Sequence, residues 1–216
     1  MNRAALALFA CACIVLVATM IHAQAPDTSN LGLVGDRFKP LTWDQMTAEQ
    51  KTMTTNLLTG PRRGLGGPFN VLLRSPEMGD LVQKLGEYAR FRPDLPAKLR
   101  ELAIIITARN WTAQFEWNAH RRAAEQAGLA VPIIEAIANR KTPTGMQPDE
   151  AIVYNFSTEL LESRKVSDPT FKAAVDRFGE KGVVDLIGVM GYYQMVSMLL
   201  NVDRYPLANG VQPELK

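Results

Sequence analysis

Cysteine is nearly missing from this chain, and so is histidine. Among 216 residues the cysteines are Cys11 and Cys13, and the histidines are His22 and His120. Their positions decide what the scarcity excludes. Met1-Asn2-Arg3 is a short basic start, and Ala4 to Ile21 is an apolar run interrupted only by Thr19. Ala23-Gln24-Ala25 then supplies the small-x-small pattern of a cleavage point. This is the layout of a secretory signal peptide over residues 1–25, and it predicts a secreted or periplasmic protein cut after Ala25. The rival reading is a retained anchor, weakened because an apolar run of about 18 residues is at the edge of spanning length. Cleavage removes both cysteines and His22. The mature chain then keeps His120 alone and no thiol. Disulfides, which an oxidising compartment would permit, cannot form, and thiol peroxidase chemistry is disfavoured.

Other absences narrow the field further. The formal charge of +2 falls to about +1 once Arg3 leaves, with no long charge run, so nothing electrostatic argues for nucleic acid. No Gly-x-Gly-x-x-Gly, phosphate loop or nucleophile-elbow serine occurs. No repeat of fixed period and no convincing run of alternating residues is present. What remains after cleavage is roughly 190 residues, enough for one domain with a substantial core.

Helix signals fill that length. Residues 26–67 read as a polar arm to Pro40, a helix over Thr42 to Leu58, and a Gly/Pro loop at Gly60–Pro68. Four glycines and two arginines in that loop can hold an anion, but the favoured expectation is a surface turn. Ser75-Pro76-Glu77 opens a helix to Arg90 with a cap, a first-turn proline and an acid. A helix after Pro96 carries Leu99, Leu102, Ala103 and Ile106 on one face. A break falls at Asn110-Trp111-Thr112, with Thr112 as a candidate cap, and a further helix runs to about Gln126. Val131 to Asn139, Asp149 to Ser163 and Asp168 to Phe178 follow, the last ended by Gly179. Val183 to Leu200 is apolar enough to suggest a membrane span, but Asp185, Gln194 and Ser197 interrupt it. A central buried helix is the expectation, with Gly188 and Gly191 packed closely against a neighbour. The fold class is all-α.

One segment concentrates chemistry: Glu101, Arg109, Trp111, Glu116, Trp117 and His120. Glu116 and His120 stand four apart on a helix, so their side chains can meet. A carboxylate beside an imidazole orients the ring and raises its pKa, which suits a general acid or base. Phe115, Trp117 and Ile104–Ile106 make the surroundings apolar, where unused charge is costly. Arg109 is the obvious structural partner for either glutamate, and such a salt bridge is the competing explanation. With one histidine and no thiol, a metal site is disfavoured.

These residues carry a resemblance. The stretch from about Phe69 to Pro206 resembles the carboxymuconolactone decarboxylase family, on Glu101, the apolar helix after it, Glu116-Trp117-Asn118-Ala119-His120, and the C-terminal helix with Tyr192 and Tyr193. The resemblance implies an alkylhydroperoxidase D-like helical bundle over residues 68–216. That family's redox branch carries a glutamate, a Cys-x-x-Cys twelve residues on, and a histidine four beyond the second cysteine. Glu101 and His120 take the outer positions here, while Ala113 and Glu116 stand where the cysteines would be. Neither can attack a peroxide, so the resemblance points to the branch without thiols.

That branch implies a cofactor-independent lyase or isomerase on a small lactone or organic acid. His120 and Glu116 would move a proton at carbon with Glu101 assisting. Trp111, Trp117 and Tyr192 would wall the pocket, and Arg109 would hold an anionic group. Homo-oligomers of three or six subunits are also implied, with neither cofactor nor metal, and no membrane contact after cleavage. The alternatives from other classes are a non-catalytic binder of small acids and a structural oligomer in which the four charged residues form a salt-bridge network.

Overall fold

The computed structural model describes residues 27–216. The signal-peptide reading, with Cys11, Cys13 and His22, lies outside these residues. Among them the regular structure is entirely helical. A 3-10 turn at Trp43–Gln45 precedes α1 (Ala48–Thr59), α2 (Phe69–Leu72), α3 (Pro76–Phe91), α4 (Ala97–Asn110), α5 (Gln114–Gln126), α6 (Val131–Ala138), α7 (Pro148–Ser163) and α8 (Asp168–Asp203).

The helix at the centre is α4, not the apolar C-terminal stretch. Leu99, Leu102, Ala103, Ile104, Ile105 and Ala108 have no exposed surface, and α4 packs against α5, α6, α7 and α8. A helix that is apolar on every side belongs inside. Helix α8 instead buries one face, through Val183, Leu186, Val189, Met190, Tyr192, Tyr193, Val196 and Leu200, and leaves Val184, Ile187, Met198 and Val202 in solvent. Space above Gly188 and Gly191 is open, so neither serves the close packing expected of it. That role falls to Gly86 on α3, where a methyl group would overlap the ring and hydroxyl of Tyr192.

Local chemistry accounts for the remaining departures. The helix expected from Thr42 divides because Thr47 and Gln50 form a capping box. The Gln50 amide donates to Thr47 Oγ1 at 3.3 Å, and the Thr47 amide donates to Gln50 Oε1 at 2.9 Å, which starts α1 afresh at Ala48. At Gly179 the backbone turns to φ 70°, ψ 169°, a conformation glycine alone takes readily. The helix resumes at once, so two expected helices form one broken α8. Thr112 does not cap α5. It sits at φ 48°, and Ala113 is the residue preceding that helix. The N-terminal arm is tied down rather than loose, because the amides of Asp36 and Phe38 donate to Asp203 Oδ1 at 3.2 and 2.8 Å.

Candidate active site

Three helices and one loop converge on His120. Glu101 comes from the first turns of α4, just before the buried run from Leu102 to Ala108. Glu116 and His120 come from α5, one turn apart on the face toward α4. Both nitrogens of the His120 ring are engaged. Nδ1–H donates to Glu101 Oε2 at 2.6 Å, and Nε2 lies 3.0 Å from Glu116 Oε1. Glu101, Glu116 and His120 are 7%, 5% and 5% exposed. With both ring nitrogens turned to carboxylates, neither is free to ligate a metal.

The electrostatics follow from that sandwich. Burial works against a charged imidazole, but Glu116 and Glu101 outweigh it and push the His120 pKa up to about 9. The ring is therefore an imidazolium at neutral pH, held between the two glutamates. Tyr193 stands edge-on to the ring with centroids 4.8 Å apart, and Tyr192 stands edge-on to Tyr193 at 5.0 Å. Burial raises both phenol pKa values, and Glu116 raises them further. Both hydroxyls thus keep their protons and remain donors.

A cavity of about 170 Å³ lies over this chain of groups. Glu116, His120, Tyr192 and Tyr193 line it, and Arg62 and Arg90 supply positive charge at its edge. Glu101 is not in the lining. It sits behind His120, whose other ring nitrogen faces Glu116, and His120 and Glu116 both reach the cavity. Arg62 donates to the Tyr192 hydroxyl at 3.5 Å, and its guanidinium covers the Phe69 ring at 4.9 Å.

The structure brings together four of the seven residues singled out from sequence: Glu101, Glu116, His120 and Tyr192. The other three point elsewhere. Trp117 is fully buried and donates its indole N–H to Glu214 at 3.0 Å. Trp111 lines a separate groove with Asn201 and Arg204. Arg109, at the opposite end of α4 from Glu101, donates to the carbonyl of Lys216 at 2.6 Å and to Thr112 Oγ1 at 3.2 Å. It pairs with neither glutamate, so Arg109 takes no part in the charged network, which consists of Glu101, His120 and Glu116. Arg62 lines the cavity instead, so the Gly60–Pro68 loop is a wall of the cavity rather than a bare surface turn. Its signal was two arginines among four glycines. Arg90 and Val196 gave none beyond their helical periodicity.

Comparison with known proteins finds a family likeness over a part of the chain that includes the same residues. Residues 76–152, which include Glu101, Glu116 and His120, match the model of the carboxymuconolactone decarboxylase family. No curated protein matches the chain. A crystal structure of a protein of unknown function from Agrobacterium tumefaciens, provisionally named an antioxidant defence protein AhpD, superposes with a TM-score of 0.51 at 16% identity. The match covers 66% of this chain and 99% of that one. The fold is all-helical and AhpD-like.

Proposed function

We propose that this protein is a cofactor-independent acid–base catalyst, a lyase or isomerase acting on a small lactone or organic acid outside the cytoplasm. One observation carries the reading: a buried Glu101–His120–Glu116 chain that opens onto a cavity at Glu116 alone among its carboxylates. Because both His120 nitrogens are occupied, the ring does not meet substrate as a free base. Glu116 is the exchanging group, His120 is the proton store behind it, and Glu101 fixes the ring from the far side.

The chemistry follows from those positions. When a carboxylate leaves carbon next to a carbonyl, the C–C electron pair passes into an enolate. The Tyr193 and Tyr192 hydroxyls can donate to the developing oxyanion, and Arg62 can hold a substrate carboxylate. A proton then moves from His120 Nε2 to Glu116 Oε1 and on to carbon, leaving neutral imidazole to be reprotonated. An isomerase would run the same chain with Glu116 first taking a proton from carbon. Glu116 occupies the position of a redox thiol in the family's other branch, and a carboxylate supplies proton transfer where a thiolate would supply electrons.

Assembly into rings is part of the proposal. The apolar stripe of Val184, Ile187, Met198 and Val202 on α8, with Leu81 and Leu85 on the adjoining α3, is exposed. A stripe of this kind supports contact with a second copy. The test of function is turnover of a panel of small lactones and β-keto acids, followed by product NMR in deuterated water. Deuterium delivered to carbon by the wild type and lost with Glu116→Gln is the expected result. Binding without any exchange over prolonged incubation would identify a non-catalytic acid binder instead.

A further inference from the structure

After α8 the chain runs on without regular structure, and residues 214–216 return to the start of α5. One carboxamide clamps the backbone there. Gln114 Oε1 accepts from the amides of Glu214 and Leu215 at 3.1 and 3.2 Å, and Gln114 Nε2 donates to the Leu215 carbonyl at 2.6 Å. Leu215 is buried and belongs to the core. The Glu214 carboxylate accepts from the buried Trp117 indole N–H at 3.0 Å and from Arg121. Arg109, at the end of α4, donates to a main-chain oxygen of Lys216 at 2.6 Å. Gln114, Trp117 and Arg121 share one face of α5 at successive turns. These three residues are therefore gripped along the same turns that carry Glu116 and His120.

The acid–base chain is divided between helices in a way that makes this grip consequential. Glu116 and His120 both belong to α5, one turn apart, and stay neighbours wherever that helix sits. The 2.6 Å contact between His120 and Glu101 crosses from α5 to α4, so it holds only while the two helices keep their relative position. Ala113, the residue before α5, supplies no side-chain cap, and Thr112 before it sits at φ 48°. Helices α4 and α8 pack against α5, and residues 214–216 add hydrogen bonds, which are directional where apolar packing is not. A displacement of about 1 Å at a reacting group is enough to cost much of a rate.

We propose that residues 214–216 form a strap that sets α5 against α4, and that Glu214 is a positioning residue for the Glu101–His120–Glu116 chain. Its effect on rate rests on the acid–base reading of that chain. The experiment is Glu214→Ala in the full chain, with the Trp117 indole N–H and the His120 imidazole followed by NMR. The indole resonance should shift, and the His120 pKa should fall below the wild-type value of about 9, because Glu101 loosens while Glu116 stays. Glu214→Gln removes the same charge but keeps an acceptor for the indole, and should restore both readings. Gln114→Ala should reproduce the Glu214→Ala change. The double variant should add little to either, since both act through one strap. Met53→Ala, in the α1–α3 contact, should lower the urea midpoint and leave the His120 titration alone. On any lactone or β-keto acid that the wild type turns over, kcat should fall by up to about a hundredfold in Glu214→Ala, with KM little changed. A His120 titration unchanged in Glu214→Ala, or lowered equally by Met53→Ala, would overturn the strap whatever the substrate panel gives. A lowered and rescued titration without turnover of the panel would uphold the strap and count against the proposed reaction.

Discussion

The two ends of α4 treat buried charge in opposite ways. At Glu101 a carboxylate meets an imidazolium that meets a second carboxylate, and every charge has a partner within 3.0 Å. At Arg109 a guanidinium shares the Thr112 hydroxyl with another cation, reaches a main-chain oxygen of Lys216 at 2.6 Å, and leaves one nitrogen bare. The contrast separates two uses of costly charge. A matched chain polarises along its length and can pass a proton. Two cations that meet at a hydroxyl cannot. Helix α4 serves both because its middle turns are uncharged core, which isolates one end from the other.

Glu116→Gln should break the matched end most severely. Glutamine keeps the shape but cannot take up the proton, so turnover should fall about 10²–10⁴-fold, the usual worth of a positioned acid–base group. The circular dichroism spectrum should be unchanged, and the His120 pKa, read from its imidazole resonances, should drop from about 9 toward 6.5. A variant of full activity would mean that the chain is structural. Glu101→Ala attacks the same chain from behind, where the carboxylate touches no substrate. Removing one partner of a buried pair destabilises by about 3–5 kcal/mol, so the expected signature is a lower urea midpoint. The loss should be smaller at pH values where His120 can shed its proton instead.

Proton linkage gives the next effect, and its sign is set by the direction of the shift. The folded state holds the His120 proton more tightly than the unfolded state, with a pKa of about 9 against 6.5. The stabilisation is therefore fully present below about pH 6.5 and is lost as pH rises through about 9. Its full size is on the order of 3 kcal/mol. Denaturant unfolding from pH 6 to 10 should show this loss in the wild type. The slope should flatten in His120→Gln, a neutral ring substitute that titrates nowhere in the range.

How much of this was legible in the sequence depended on how local the cause was. Helix boundaries at Pro76, Gly179 and the Trp111 break follow from residues within a turn of them, and all lie where the sequence puts them. Glu116 and His120 were readable as neighbours because four-residue spacing on one helix requires it. That Glu101 reaches His120 depends on how α4 packs against α5, and no local pattern encodes it. Arg109 was misplaced for the same reason. Its position on α4, eight residues beyond Glu101, turns it toward α6 and α7, a fact of helix phase that proximity in sequence concealed. Arg62 is the converse case, distant in sequence and brought to the cavity by a loop whose glycines have no periodicity to read. The apolar run of α8 was legible as apolar, but composition alone does not say that only one face is covered.

The smallest expected effect has the opposite sign from the others and tests the unmatched end. Arg140→Gln removes one of two converging cations and keeps an amide able to donate to Thr112. Deleting a charge there should stabilise the protein, by about 0.5 kcal/mol, since exposed charge interactions are of that order. High salt should erase the gain, because the Arg140 side chain is solvent-exposed and within reach of screening ions. Paired urea titrations at low and high ionic strength measure both effects. A destabilised Arg140→Gln in low-salt buffer would mean that the two cations do not repel across Thr112, and that the two ends of α4 are not opposites.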